Sequence, residues 1–315
     1  MSMNYTTIIN NQTIPVSEIP EMGYGDFIDL NTCFLTDSPE RHCVNYFGYP
    51  VGNQIQLICC IADDNTHQIY VSSCLVKSGD TLDSFTARNF NFEKFEREIH
   101  ENFGVYYNDH PWLKPVRYAK NRFDQSQTIA NYPFFSIESD ELHEVGVGPI
   151  HAGIIEPGHF RFICNGEQIL HLEIQLGYQH RGIEQQLLTK KKLLQRTTIA
   201  ESITGDTVVG HTTAFSHVWE SLCGFQPSRD IEYARTLALE LERMAVHTGD
   251  LSAVCTDIAY QLGSAVFGRL RTPIINFMQE WGGNRLSKGL IRPGRNQFPF
   301  TRELAHRLAE ILDIY

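Results

Sequence analysis

Between residues 168 and 176 the chain alternates strictly. Leu170, Leu172, Ile174 and Leu176 point one way, and His171, Glu173 and Gln175 point the other. A period of two over that length predicts a half-buried β-strand. Phe160 to Cys164 predicts its partner, and Asn165-Gly166 between them supplies the two positive φ angles of a tight type I′ turn. Upstream, residues 55–61 are continuously apolar, as in a strand buried on both faces. Residues 68–76 predict its neighbour, across a turn at Asp63-Asp64-Asn65. Phe92, Phe95, Ile99 and Phe103 then recur at helical spacing, which assigns Glu93, Lys94, Glu96, Arg97 and Glu98 to an outer face. Asn89 or Asn91 is placed to cap this helix, and Gly104 to end it.

After the hairpin the pattern turns helical. Residues 184–199 predict one helix, with Lys190 to Lys192 on a solvated face. Residues 230–260 predict another from the stripe Leu237, Leu241, Met244, Thr248 and Leu251, with Gly249 as a potential break. His247 and Asp250 beside that glycine read as packed polar residues. A last helix is expected over 301–314, where Leu304, Leu308, Ile311 and Leu312 share a face. Pro111 and Pro115 force an extended path after the first helix, and residues 118–145 carry no periodicity. These elements predict an α+β chain: a small α/β domain over 1–125, a linker over 126–145, and a second domain over 146–315. That second domain opens with an antiparallel hairpin or sheet and continues as a mainly α-helical bundle.

Composition acts mostly by exclusion. A chain of 315 residues with 42% hydrophobic content can build two cores. A net charge of −11 argues against nucleic acid or anionic lipid as the main partner. No apolar run approaches the roughly 20 residues that span a bilayer, so no direct transmembrane segment is expected. The opening residues are polar and lack Lys and Arg, unlike a signal peptide. The 8 cysteines form no C-x-x-C pair and fit neither a disulfide framework nor a zinc site. They predict free thiols in a cytoplasmic compartment, with no metal held directly.

The densest cluster of His, Glu, Arg and Gly spans residues 148–184. His151, Glu156, His159 and Arg161 stand at one end of the predicted hairpin, and Tyr178, His180, Arg181 and Glu184 at the other. Polar groups at strand ends suit backbone that meets a partner or a substrate; they equally suit surface loops on an ordinary sheet.

Two stretches resemble known families. Residues 95–117, FEREIHENFGVYYNDHPWLKPVR, are similar to the signature of the small C-type subunit of respiratory complex I. Residues 148–184 resemble the opening of its large D-type subunit. They resemble still more the large subunit of membrane-bound, formate-hydrogenlyase-type nickel–iron hydrogenases, which fuse the two modules in this order. The likeness continues through AESITGDTVVGH (200–211), ELERMAVHTGD (240–250) and LIRPG (290–294). Where those hydrogenases carry (V/I)-C-G-x-C, two cysteines of which help hold nickel and iron, this chain has Thr204 and Thr207. A neutral, hard hydroxyl is a poor substitute for a soft, bridging thiolate, so the resemblance predicts no nickel–iron site. The family's second cysteine pair would lie past Tyr315, which implies a longer native chain.

The resemblance implies a core subunit of a membrane-attached oxidoreductase complex related to complex I, NADH:quinone oxidoreductase-like, in a family associated with NAD and quinone binding. Glu156, His159 and Asp206 would handle protons, while His151, His159, Thr204, Thr207 and His211 would meet a quinone. The insertion at 152–157 shifts the alignment by a few residues, which leaves His151 and His159 as rivals for one family histidine. Tyr178, His180 and Arg181 match G-Y-x-H-(R/K)-G-x-E, which faces the iron–sulfur partner. No cofactor would be bound directly: an iron–sulfur cluster is expected on a small partner subunit, with membrane-embedded subunits beside it. The chain would then be cytoplasmic, peripheral on the inner face of the membrane. The alternative is a non-catalytic structural or coupling subunit of such a complex, which Thr204 and Thr207 fit equally well.

Overall fold

The computed structural model describes residues 4–151 and 156–315. They form two compact units, Met1–Gly182 and Ile183–Tyr315, in an α+β architecture.

The first unit begins with β1 (Thr6–Ile9), β2 (Glu21–Met22) and α1 (Tyr24–Asp37). The strands β3 (Arg41–Val51), β4 (Gln54–Asp63) and β5 (Gln68–Val76) follow. They pair antiparallel in the order β1-β5-β4-β3, with β2 parallel to β5. β4 is buried along most of its length, as its continuous apolar run requires. Asp63 closes the turn after it by accepting the N–H groups of Asn65 and Thr66, each at 3.1 Å. Phe27 and Ile28 of α1 pack with Leu57, Cys59 and Ile61 of β4. The short β6 (Thr81–Asp83) and α2 (Phe85–Arg88) lead to α3 (Glu93–Phe103), which ends at Gly104 with φ of 69°. Asn89 caps the 3₁₀ turn before α3, through the N–H of Asn91, and not α3 itself. Next, β7 (Tyr106–Asn108) pairs with β6.

The charged face of α3 departs from expectation. Glu93, Glu96 and Arg97 are buried rather than solvated, as is Glu101. The reason is a set of backbone partners that helical periodicity does not reveal. Glu96 accepts from Ser84 Oγ (2.7 Å), Phe85 N (2.7 Å), Thr86 N (3.0 Å) and Thr86 Oγ1 (2.6 Å). Arg97 pairs with Glu93 at 2.5 Å and donates to the carbonyls of Lys114 (2.7 Å) and Pro115 (3.0 Å). Glu101 accepts from Val116 N (3.0 Å) and Arg117 N (2.9 Å). The extended HPWLKPVR loop is therefore fastened to the helix before it.

A three-stranded sheet completes this unit, in the order β10-β9-β8: β8 (His143–Val147), β9 (His159–Asn165) and β10 (Gln168–Gln175). The hairpin forms, but its turn is shifted by one residue: Asn165 ends β9 paired with Gln168, Gly166-Glu167 make the turn, and only Gly166 has a positive φ, 58°, so it is not the type I′ Asn-Gly turn expected. The alternation along β10 is as expected, but its sense is inverted. Glu173 and Gln175 are 1% and 2% exposed, while Leu172 and Ile174 are 45% and 40% exposed. Glu173 pairs with Lys114 Nζ (2.6 Å) and accepts the Phe135 N–H (2.7 Å), and Gln175 Nε2 donates to the Ile129 carbonyl (2.8 Å). These bonds hold residues 126–145 within the first unit. The compact units consequently divide after Gly182, not near residue 125.

The second unit runs through α4 (Ile183–Thr189), α5 (Leu193–Ala200), α6 (Val208–Leu222), α7 (Arg229–Asp257) and α8 (Gln261–Gly282). It closes with the small hairpin β11 (Ile291–Arg292) and β12 (Arg295–Asn296), and with α9 (Arg302–Leu312). The single helix expected over 184–199 is two, interrupted at the exposed Lys190-Lys191-Lys192, where three adjacent like charges meet. Gly249 does not break α7. Leu241 and Ala245 of α7 meet Ile274, Phe277 and Trp281 of α8 in the core, with Ile291 and Leu308 beside them. Among the described residues no helix is long and apolar enough to cross a membrane.

Removing the carboxylate of Glu96 leaves four donors of a dry site without their acceptor. Glu96→Ala is expected to cost about 3 kcal/mol or more in urea unfolding of the full chain, and Glu96→Gln distinctly less. Equal stability of Glu96→Ala and the parent would show that these bonds contribute nothing.

Candidate functional site

The residues singled out from the sequence fall into two groups, one in each unit. In the second unit, α5 ends at Ala200 with Glu201 as its C-cap, and the turn SITGD leads into α6 with Thr207 as its N-cap residue. Thr207 offers no side-chain cap. Glu242 of α7 does that work instead, accepting from Val209 N (2.6 Å) and Gly210 N (2.9 Å). A carboxylate facing two N–H groups at the positive end of a helix is well placed electrostatically. Burial nevertheless raises its pKa, with Asp206 adding to the rise and the two N–H groups opposing it.

Beside this cap lies a cavity of about 390 Å³, lined by Thr207, Gly210, His211, Leu239, Glu242, Arg243, Val246 and His247. The α7 contributors at 239, 242, 243, 246 and 247 recur at helical spacing and so form one face. Thr204 Oγ1 and His211 Nε2 share a hydrogen bond of 3.2 Å at the same helix start. Burial lowers the His211 pKa, which keeps its imidazole neutral at pH 7. The wall thus combines a neutral imidazole, a carboxyl biased towards its protonated form, a hydroxyl, a guanidinium and aliphatic side chains. Such a surface can hold a small amphipathic molecule and exchange protons with it.

Of the predicted residues, Thr204, Thr207 and His211 are brought together here, and Asp206 is exposed on the same turn. Glu242, Arg243 and His247 were not among the predicted site residues, although all three lie in the ELERMAVHTGD stretch that carries the family likeness. Their spacing was the available signal. His247, expected to be packed, is exposed on the cavity wall.

The first-unit group is arranged separately. His159 opens β9, with Nδ1 3.4 Å from the Gly148 carbonyl and its ring edge-on to Phe134 at 5.4 Å. His151 sits edge-on to Phe160 at 5.3 Å, and its two ring nitrogens are buried with no hydrogen-bond partner among the described residues. Glu156 is exposed; the insertion at 152–157 falls mostly outside the described residues. Tyr178 donates to Gln175 Oε1 at 2.8 Å, and burial raises its pKa. His180 is half-buried in the following turn, with its N–H on the Gly177 carbonyl, and Arg181 is exposed.

The LIRPG stretch is fixed by two buried glutamates. Glu201 accepts from Gly289 N (2.6 Å) and pairs with Arg292 (2.5 Å). Glu220 pairs twice with the buried Arg235 (2.6 and 2.9 Å) and accepts from Gly294 N (2.6 Å). His217 and Glu232 approach Glu220 at the spacing of a metal-ligand set, but the Arg235 guanidinium already neutralises that carboxylate.

No known family model matches the chain. Among curated proteins it is similar to hydrogenase-4 component G of Escherichia coli strain K12, 28% identical over 181 residues, covering 58% of this chain and 33% of that protein. Formate hydrogenlyase subunit 5 of the same strain is 28% identical over 220 residues, covering 64% and 38%. The C/D fusion protein of the NADH-quinone oxidoreductase of Bacteroides thetaiotaomicron is 26% identical over 253 residues, covering 69% and 47%. The chain therefore spans between a third and a half of the length of these relatives. A solved structure of the membrane-bound sulfane sulfur reductase, an archaeal respiratory membrane complex, shares the fold of part of the chain. Its TM-score is 0.51 at 15% identity, over 55% of this chain and 46% of that one. The likeness read from the motifs to hydrogenase large chains and to C/D fusions is borne out by these relatives.

The raised pKa of Glu242 gives a signed prediction. The folded chain favours the protonated form, so this group adds stability as pH falls through its raised pKa and loses it as pH rises past that value. Relative to Glu242→Gln, the parent chain should gain stability in urea unfolding as the pH is lowered from neutral towards the ordinary carboxyl range. A gap that stays constant across that range would mean that Glu242 titrates as an ordinary carboxyl.

Proposed function

We propose that this chain is a core subunit of a membrane-attached oxidoreductase complex related to complex I and to formate-hydrogenlyase-type hydrogenases, and that its α6–α7 cavity receives a quinone-like acceptor in place of a nickel–iron centre. The observation that carries the reading is the hydroxyl–imidazole pair Thr204–His211 at the start of α6, beside a cavity of about 390 Å³ with Glu242 in its wall. The residues at hand do not fit nickel and iron. Thr204 and Thr207 stand where the motif resemblance implies thiolates, and the Thr204 hydroxyl is engaged with His211. The size and the mixed lining suit a ring with two carbonyls.

Reduction of a quinone takes two electrons and two protons, and turns two carbonyls into hydroxyls. The electrons would come from an iron–sulfur cluster on a small partner subunit. This chain would supply orientation and protons. The neutral His211 imidazole can hydrogen-bond a carbonyl oxygen while Thr204 fixes its ring, and Glu242 holds a proton more readily than a solvated carboxyl. Asp206, exposed at the cavity turn, would refill protons from water. In the same reading His159 and Glu156 are proton-handling groups of the first unit, His151 is the rival of His159 for the quinone, and Tyr178, His180 and Arg181 face the cluster-bearing partner. With membrane-embedded subunits alongside, the chain would lie on the inner face of the membrane. A scaffold or coupling role is the alternative. It is favoured by one observation: both Glu242 oxygens already serve as the α6 cap.

The test is a titration of the intact complex, purified from membranes, with a short-chain quinone analogue, alongside nickel and iron per chain. Saturable reduction without nickel is expected. His211→Ala should then lower kcat/KM by about tenfold or more. Reduction that never saturates would favour the scaffold, and stoichiometric nickel would overturn the reading of Thr204 and Thr207. His159→Ala should also slow quinone reduction by the assembled complex; unchanged kinetics would remove His159 from the mechanism.

A further inference from the structure

The HPWLKPVR stretch plays no part in the cavity of the second unit, yet its first turn closes on a single imidazole. Trp112 N donates to His110 Nδ1 at 2.9 Å, and the His110 side chain is fully buried. A ring nitrogen that accepts an N–H carries no proton, so neutral His110 holds its one proton on Nε2. That nitrogen faces Glu96 Oε2 at 3.8 Å, beyond hydrogen-bond reach, and has no other hydrogen-bond partner among the described residues. Glu96 itself is already committed to four donors around the start of α2.

This arrangement accommodates one proton on the ring but not two. The second must go on Nδ1, where it sets two donors against each other across 2.9 Å. The Trp112 N–H then loses its acceptor, and the turn its closing bond. The surroundings do not rescue the cation. Burial is the largest influence and lowers the His110 pKa; Glu93 opposes it, while Arg97 and His100 reinforce it. Glu93 is itself paired with Lys94 and Arg97, and Glu96 beside Nε2 is biased by burial towards its own protonated form.

The turn so closed joins two parts of the first unit. Lys114 gives its carbonyl to Arg97 Nε of α3 (2.7 Å) and its ammonium to Glu173 of β10 (2.6 Å). The same ammonium lies 4.4 Å from the centre of the Trp112 ring, which also meets the His171 ring of β10 at 6.0 Å. Displacing Trp112 therefore disturbs the contact between α3 and the three-stranded sheet. We propose that His110 is a proton-sensitive latch: neutral, it closes the turn that joins α3 to β10; protonated on Nδ1, it releases Trp112 and loosens that joint. The latch is independent of what the α6–α7 cavity binds.

Site-resolved amide exchange on the full chain tests it. Exchange of the Trp112 N–H, corrected for its intrinsic rate, reports how often the turn opens. The closed turn resists the proton and the open one accepts it, so acid favours opening. From about pH 7.5 to about pH 5, protection should fall by about tenfold or more, up to about thirtyfold for an ordinary imidazole in the open form. His110→Asn keeps a side-chain acceptor but takes up no proton, and its protection should stay constant within about twofold. His171→Asn removes the other imidazole near Trp112 and should retain the full response of the parent. Constant protection in the parent, an equal fall in His110→Asn, or a response abolished in His171→Asn would each overturn the proposal. Nitrogen NMR of the parent imidazole needs no variant: a His110 proton on Nε2 alone is expected at neutral pH. A proton on Nδ1 there would also overturn it.

Discussion

Both units depend on the same interaction: a buried glutamate that accepts backbone N–H groups from a stretch distant in sequence. Glu96 holds the start of α2, Glu101 the loop at Val116 and Arg117, and Glu173 the strand-free segment at Phe135. In the second unit Glu201 takes Gly289, Glu220 takes Gly294, and Glu242 takes the first turn of α6. A backbone N–H shut away from water must find an acceptor, and an ionised carboxyl offers two oxygens with strong lone pairs. The loops so anchored carry the HPWLKPVR, SITGD and LIRPG stretches. Loop geometry in this chain is therefore set by the side chains of helices and of β10, which lets irregular backbone stay fixed while the cysteines remain free thiols.

This also explains what could be read from the sequence and what could not. The existence of the β9–β10 hairpin, though not its exact turn, the buried β4 and the Gly104 helix end were legible because each rests on a local rule. The burial of Glu93, Glu96 and Arg97 was not, since a charged residue on a helix is by default assigned to water, and the distant partners of Glu96 and Arg97 lie 10 to 18 residues away. The same default hid the sense of β10. Its alternation was plain, but which face is buried is decided by Lys114 and Phe135, far upstream of the strand. α6 and α8 escape sequence reading for a different reason. α6 is rich in Val, Thr and Ser, weak helix formers by composition, and the distal part of α8 turns its apolar residues outwards. Around the cavity the likeness to known families supplied Thr204, Thr207 and His211, while Glu242, Arg243 and His247 needed the packing of α7 against α6 to be seen as neighbours of that turn.

α6 links these observations physically. Its first turn is capped by Glu242, which is also a wall of the cavity, and its last turn presents Glu220 to Arg235 and to Gly294 of the β11–β12 turn. Both ends are thus held by carboxylates, and only the one at the cavity has a pKa raised by burial; that of Glu220 is lowered, since its ion pair with Arg235 and the Gly294 N–H outweigh desolvation. A proton added at the cavity would weaken the cap of α6, whereas the carboxylate at its far end is held in its ionised form by Arg235 and the Gly294 N–H.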